Sequence, residues 1–533
     1  MSGRIGAVLL AGAALVASGA GAANAGTVAD TASGRPLMRT AGGDAASGRP
    51  IVRTTGGLVQ GKTVGRTREF LGIPYAAPPV GALRWRPPAP APHWRGVRQA
   101  TAFAPHCAQA ETPFGSASTS EDCLYLNVYA PARPRPGRLP VMVWIHGGAL
   151  VAGSSDGFDP TALAARGAIV VTINYRLGAL GFLASSGLAD RPGGPSGNYG
   201  LMDQQAALRW VASDIGRFGG DARGVTVFGE SAGGLSVLSH LVSPGSRGLV
   251  RRAIVQSGTY NVALPTKAAA EAEGKAFAAS VGCPDQNASC LRAVPVATVL
   301  AKQNRLEYVP DIDGRVIPEP LTTAFAAGRF ARVPVAIGTT HDEWRLQLAL
   351  RLLLGAPPVT AANYQWWITS ALNVPAQTAA TIAAHYPLSA YPSPALALTT
   401  VVTDARYSCT TLATEKILAK YVPVRGYEFA DENAPQRFLP PVGYPYGAAH
   451  ASELQYLFGL AAPIPGTLTP DQQKLADAMK TDWTAFAAGR LPQSRWPAFR
   501  PGTQRILSLV PPAPRPSTGF AADHRCAFWS SLP

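Results

Sequence analysis

Two serines stand in the pattern Gly-x-Ser-x-Gly, an arrangement that can turn a serine hydroxyl into a nucleophile. Ser155 lies in Gly153-Ser154-Ser155-Asp156-Gly157, and Ser231 in Gly229-Glu230-Ser231-Ala232-Gly233. The chemistry demands a tight strand-to-helix turn, where small flanking residues let the backbone bend and leave Oγ exposed. Ser155 follows a glycine-rich loop and leads into Phe158-Asp159-Pro160, with no strand before it and no helix start after it. Ser231 follows the apolar run 225–228 and opens an apolar helix, whose N-terminus favours developing negative charge. Context selects Ser231 and leaves Ser155 as a turn serine.

Acyl transfer at a serine also needs oxyanion donors, a general base and an acid to orient that base. His146-Gly147-Gly148-Ala149 follows the apolar run 141–145, where a glycine-rich turn can aim the N–H groups of Gly148 and Ala149 into the site. The N–H of Ala232, next to the nucleophile, would complete the hole. For the base, the order serine, acid, histidine leaves His385, His450 and His524. His385 closes a helix and His524 neighbours the last cysteine. His450 lies in a Gly/Tyr/Pro-rich loop before a helix predicted over 452–457, a better place for a general base. The acid should follow a strand. The run 333–337 ends in Gly338-Thr339-Thr340-His341-Asp342-Glu343, which offers both Asp342 and Glu343, and spacing does not choose between them. Asp313, in Asp-Ile-Asp-Gly, reads as a turn residue, and Asp404, shortly before a cysteine, as structural.

The elements that must position these groups alternate. Strands are predicted at 141–145, 168–173, 225–228, 253–255 and 333–337, and a helix over 203–215 carries an apolar face. Such alternation predicts an α/β fold with a central, mostly parallel sheet covered by helices on both faces. No Pro/Ser linker divides the chain, so residues 47–533 read as one domain. The composition agrees, with 47% apolar and 15% charged residues, which excludes a disordered polyelectrolyte. The net charge of +15 is scattered rather than gathered into a stripe, and it argues against a nucleic-acid partner. The tightest group, Arg133, Arg135 and Arg138, has no interleaved aromatics.

Arg4, the apolar run 5–17 and Ala23-Asn24-Ala25 predict a signal peptide cleaved near Ala25 and a secreted product. No later stretch is long and apolar enough for a membrane span. Residues 26–46 read as a flexible leader, and within the region 33–40 recurs as 47–54. Six cysteines fall into two local pairs and one distant pair. In an oxidising compartment Cys107–Cys123, Cys283–Cys290 and Cys409–Cys526 are expected.

Several longer blocks then carry a resemblance. They include Phe70-Leu71-Gly72-Ile73-Pro74-Tyr75-Ala76, Glu121-Asp122-Cys123-Leu124-Tyr125-Leu126-Asn127 and Gly197-Asn198-Tyr199-Gly200-Leu201-Met202-Asp203-Gln204. Further on stand Gln256-Ser257-Gly258, Ala449-His450-Ala451-Ser452-Glu453-Leu454 and Cys526-Ala527-Phe528-Trp529. Together with the Gly-Glu-Ser-Ala-Gly turn, the chain resembles the type-B carboxylesterases, the cholinesterase-like branch of the α/β-hydrolases. The resemblance implies a Ser231, Glu343, His450 triad, with Ser257 hydrogen-bonded to the acid and Glu230 beside the nucleophile as support. It implies the same three disulfides, an Arg84–Glu121 ion pair, helical insertions forming a gorge or lid, a small-molecule ester substrate, and no metal or cofactor. A monomer is favoured.

Three departures stand out. Ala149 replaces a third glycine, Trp344 stands where a glycine commonly follows the acid, and Phe114 is the sole aromatic of the 107–123 loop. The last makes choline esters a poor substrate. The stretch 346–354 with Trp366-Trp367 is read either as a gorge or lid lining or as a buried helix pair. Alternative activities are a long-chain lipase or sterol esterase and, in another class, a non-catalytic binding module.

Overall fold

Runs of β-branched and aliphatic residues build an eleven-stranded mixed sheet in the computed structural model. That structure describes residues 49–532 apart from 134–137, 192–193, 195, 261–262 and 304–307. The signal-peptide, leader and first-repeat expectations, and Arg135, lie outside the described residues.

In chain order the strands are β1 (Lys62–Val64), β2 (Thr67–Pro74), β3 (Tyr125–Pro131), β4 (Leu139–Ile145), β5 (Ile169–Ile173) and β6 (Gly220–Glu230). They continue as β7 (Arg252–Gln256), β8 (Val335–Thr340), β9 (Val424–Phe429), β10 (Ile506–Leu509) and β11 (Arg515–Ser517). Their spatial order is β11-β10-β9-β8-β7-β6-β4-β5-β3-β2-β1. From β10 to β5 the pairs are parallel, and the flanking pairs are antiparallel. The principal helices are α1 (Tyr199–Asp214), α2 (Ala232–Val242), α3 (Trp344–Leu353), α4 (Tyr364–Leu372), α5 (Pro394–Thr403), α6 (Cys409–Leu418), α7 (Pro470–Ala487) and α8 (Cys526–Ser531).

Alternation along the strands feeds two separate cores, as a sheet buried on both faces requires. Val141, Val143, Val225, Val227, Ala253 and Val255 pack with Leu208 of α1 and Leu235 and Leu238 of α2. Met142, Trp144, Phe228 and Ile254 face the other way, onto Leu475, Met479 and Trp483 of α7. A third cluster joins Trp344 and Leu348 of α3 to Trp367 and Ile368 of α4 and to Leu398 and Val401 of α5.

The boundaries differ from expectation where backbone chemistry overrides apolar pattern. The strand expected at 333–337 is instead Val335–Thr340: Pro334 has no N–H for the ladder, while the β-branched Thr339 and Thr340 continue it opposite Glu428 and Phe429. α1 starts at Tyr199 rather than Asp203. The helix expected over 452–457 is the single turn Leu454–Leu457.

The cysteines pair as 107–123, 283–290 and 409–526. Arg84 Nε donates to Glu121 Oε2 at 2.6 Å beside the first disulfide loop. The three disulfides are consistent with an extracellular protein. Among the described residues no helix is long and apolar enough to cross a membrane.

Candidate active site

The parallel strands end on one side of the sheet, and the loops leaving them gather the groups picked out above. Their meeting there is what an open α/β sheet favours, since ligands bind outside the carboxyl ends of its strands. Ser231 lies between β6 and α2 at φ 56° and ψ −122°, a conformation a non-glycine residue rarely adopts. The neighbouring glycines make the turn possible. A Cβ on Gly233 would lie 2.0 Å from the Ile145 carbonyl oxygen, and one on Gly229 would lie 2.6 Å from the Gly233 backbone. The turn is pinned by the Ser231 N–H, which donates to the Gln256 carbonyl at 2.8 Å.

Ser155 has no such setting. It is buried, its N–H donates to Asn174 Oδ1 at 2.8 Å, and its hydroxyl accepts from Asn127 Nδ2 at 2.9 Å.

The loop after β4 lies against this turn, since a Cβ on Gly147 would sit 3.2 Å from the Ser231 Cβ. Gly148 and Ala149 both have positive φ, 104° and 56°. Among the described residues no acceptor takes the N–H of Gly148, Ala149 or Ala232. His146 shapes the loop: its ring stacks on Tyr175 with centroids 4.5 Å apart, and Nδ1 bonds the Gly147 carbonyl at 2.8 Å. Burial lowers its pKa to about 4, so the ring is neutral and uncharged toward any oxyanion.

Of the two acids, Glu343 reaches His450. Its Oε2 hydrogen-bonds His450 Nδ1, while Oε1 accepts from the Thr340 N–H at 2.8 Å and from the Thr339 hydroxyl. Asp342 turns elsewhere, accepting from the Ala448 N–H at 2.9 Å and pairing with Arg345 at 2.8 Å. Ser257 is buried beside the Glu343 carboxylate, and its hydroxyl is among the groups that favour the charged form of that carboxylate. Thr339 and Thr340 hold the same carboxylate from its own loop.

Glu230 projects toward the imidazole from the other side, with Oε1 3.1 Å from His450 Nε2. Among the described residues Ser231 Oγ makes no side-chain hydrogen bond, and the serine is half-buried. His450 therefore faces Glu230 here.

Glu230, Glu343, Glu453 and His450 are all buried, which makes their titrations interdependent. Burial alone would lower the His450 pKa, but Glu230 and Glu343 outweigh it and hold the imidazole up at about 9. Burial raises Glu230 to about 8, against the opposing pull of His450. Burial also pushes Glu343 up, yet His450 and the hydrogen bonds to the carboxylate leave it below the ordinary glutamate range.

Two residues of this site, Glu453 and Tyr407, are given no role by the sequence-based reading. Glu453, three residues after His450, accepts from Gln256 Nε2 at 3.1 Å. Its nearness to His450 along the chain was a usable signal. Tyr407 meets the His450 ring edge-to-face with centroids 5.5 Å apart. It comes from a π-helical turn between α5 and α6, and nothing local in sequence points to it. Trp344 contributes to the packing of α3, α4 and α5. Phe114 packs with Leu346, Ala349 and Phe438.

The rejected histidines and aspartates have other work. His385 is exposed and stacks on Phe528, and His524 lies buried between Asp404 and Glu428. Asp313 accepts the N–H groups of Arg315, Val316 and Ile317 as a turn residue.

This sheet, with the serine on the turn after β6 and the acid and histidine on loops after β8 and β9, defines an α/β-hydrolase. The chain belongs to the carboxylesterase family, which it matches over residues 48–529. It is 35% identical over 460 residues to fumonisin B1 esterase of Sphingopyxis macrogoltabida, covering 82% of each chain. It is 35% identical over 480 residues to para-nitrobenzyl esterase of Bacillus subtilis, covering 85% of this chain and 93% of that one. Cocaine esterase of Oryctolagus cuniculus is 34% identical over 511 residues, with 89% and 92% covered. The protein is a carboxylic ester hydrolase acting on small-molecule esters.

Proposed function

We propose that the protein is a secreted serine esterase working through an acyl-enzyme on Ser231, His450 and Glu343. The observation that carries this reading is the buried Glu343–His450 hydrogen bond beside the Ser231 turn. His450 takes the Ser231 proton as Oγ attacks the ester carbonyl, and Glu343 holds the ring with Nδ1 protonated and Nε2 available. The N–H groups of Gly148, Ala149 and Ala232 receive the tetrahedral oxyanion. His450 then protonates the departing alcohol, and water attacks the acyl-enzyme by the same route in reverse. For this, Nε2 must leave Glu230 and turn to Ser231, a small ring movement of the kind that apo sites commonly complete only with substrate bound.

An organophosphonate ester tests the assignment directly. Incubation with p-nitrophenyl phosphonate should release one p-nitrophenol per chain, end activity, and leave the phosphonyl group on the Ser231 peptide by mass spectrometry. Labelling at another residue, or inactivation without labelling, would refute the nucleophile.

The carboxylates also set the pH response. A protonated His450 cannot accept the serine proton, so kcat/KM should fall as pH drops through the His450 pKa, which lies above the ordinary 6.5. Glu230 is the foremost charge holding that proton. Glu230→Gln should therefore shift the acid limb of the kcat/KM profile to lower pH by at least about one pH unit. An unmoved limb would mean that another group controls it.

A further inference from the structure

On the loop that leads to Glu343, but apart from the triad itself, His341 meets Glu428 and His524, so that three parts of the chain converge. Glu428 lies on β9, His341 on the loop after β8, and His524 just before the disulfide-bonded Cys526 of α8. One potential ligand atom from each lies within 4.8 Å of the others. We propose that these three side chains form a binding site for a divalent transition-metal ion of the zinc type.

The donor chemistry fits. Two imidazoles and a carboxylate are a common three-residue set for Zn²⁺, leaving a fourth position for water. Tetrahedral ligands at about 2.0–2.2 Å from the ion stand about 3.3–3.6 Å apart. His524 Nε2 and Glu428 Oε1 are already 2.7 Å apart, so they must open slightly while His341 swings inward. His341 has the room, because its side chain is 38% exposed, which also gives the ion a way in from solvent. It engages Asp342 through Nδ1 at 3.1 Å, so Nε2 is the nitrogen available for coordination.

A second feature points the same way. Metal-bound histidines usually give their other ring nitrogen to a carboxylate, which fixes ring orientation. His524 Nδ1 meets Asp404 Oδ1 at 2.6 Å. Asp404 is held in turn by the Tyr386 hydroxyl at 2.7 Å, and that hydroxyl by Trp529 Nε1 at 2.7 Å. This buried chain holds the His524 ring facing Glu428 and His341. On binding, the ion takes the place of the proton shared by His524 Nε2 and Glu428, and the proton passes to solvent. The ion would then clamp the loop leading to Glu343 onto the C-terminal segment, a structural role distinct from ester hydrolysis.

The test uses the untagged, disulfide-intact protein, stripped with chelator and returned to chelator-free buffer. Titration calorimetry with Zn²⁺ should show one equivalent bound and a melting temperature that rises with Zn²⁺. Co²⁺ should bind at the same site with the visible absorption of a four- or five-coordinate ion. His341→Ala spares the buried His524 contacts, so its metal-free melting temperature should match that of the parent. Its Zn²⁺ affinity should fall at least ~10-fold, the least that loss of a supporting group at such sites costs. A Glu428→Gln variant should show the same loss. Failure of the parent to bind Zn²⁺, or equal binding by His341→Ala, would overturn the site and leave the cluster a proton-bridged ion pair.

Discussion

Ser231→Ala will reduce kcat/KM for p-nitrophenyl butyrate by about 10⁵–10⁶-fold, because no other group on this turn can form the acyl bond. The variant should fold normally. Ser231 Oγ carries no side-chain hydrogen bond among the described residues, and the turn is held by backbone contacts from Gln256 and Leu235 that alanine retains. Alanine must still adopt the positive φ of 56°, but serine carries the same Cβ and meets nearly the same strain. Melting temperature should therefore stay close to that of the parent while turnover disappears. Adding His450→Ala to Ser231→Ala should remove little more activity, since the two act as a unit. If Ser231→Ala retains parental turnover, the nucleophile lies elsewhere.

Glu343→Gln should lower kcat by about 10⁴-fold with little change in KM. The carboxylate does two things that an amide cannot. It accepts from Nδ1 of His450 and so keeps Nε2 free to act as base, and its charge stabilises the imidazolium formed during attack. Glutamine can present its amide N–H to the ring instead, which favours the tautomer with the wrong nitrogen protonated. The side chain should remain in place, because the Thr340 N–H and the Thr339 hydroxyl hold Oε1, and an amide oxygen can accept both. Stopped-flow and steady-state measurements with the same butyrate ester separate the two parameters. A large rise in KM with unchanged kcat would instead assign Glu343 to substrate binding.

Much of this site was legible before any fold was known. The choice of Ser231 over Ser155 followed from local context alone, because a strand, a helix and paired small residues are all written within a dozen positions. The same holds for the glycine-rich loop after Ile145 and for the parallel-sheet architecture, where apolar runs alternate with helical patterns. The choice of glutamate over aspartate was different. Asp342 and Glu343 are adjacent in sequence and follow the same strand, and only the family resemblance favoured the second. In the structure the extension of β8 through Thr340 turns Glu343 inward to His450 and Asp342 outward to Arg345 and the Ala448 N–H. That extension depends on pairing with β9, an interaction 89 residues away by the Thr339↔Glu428 register.

The amino-acid sequence by itself thus determined the class of chemistry, the candidate nucleophile and the order of the candidate groups around it, since each rests on short-range backbone constraints. What only the tertiary structure decided is the electrostatics. Tyr407 at the His450 ring and Glu230 facing Nε2 approach one imidazole from separate segments, and the Zn²⁺-type cluster of His341, Glu428 and His524 forms likewise. Charges interact through space and depend on burial, neither of which follows from position along a chain; the sheet must close before those residues become neighbours.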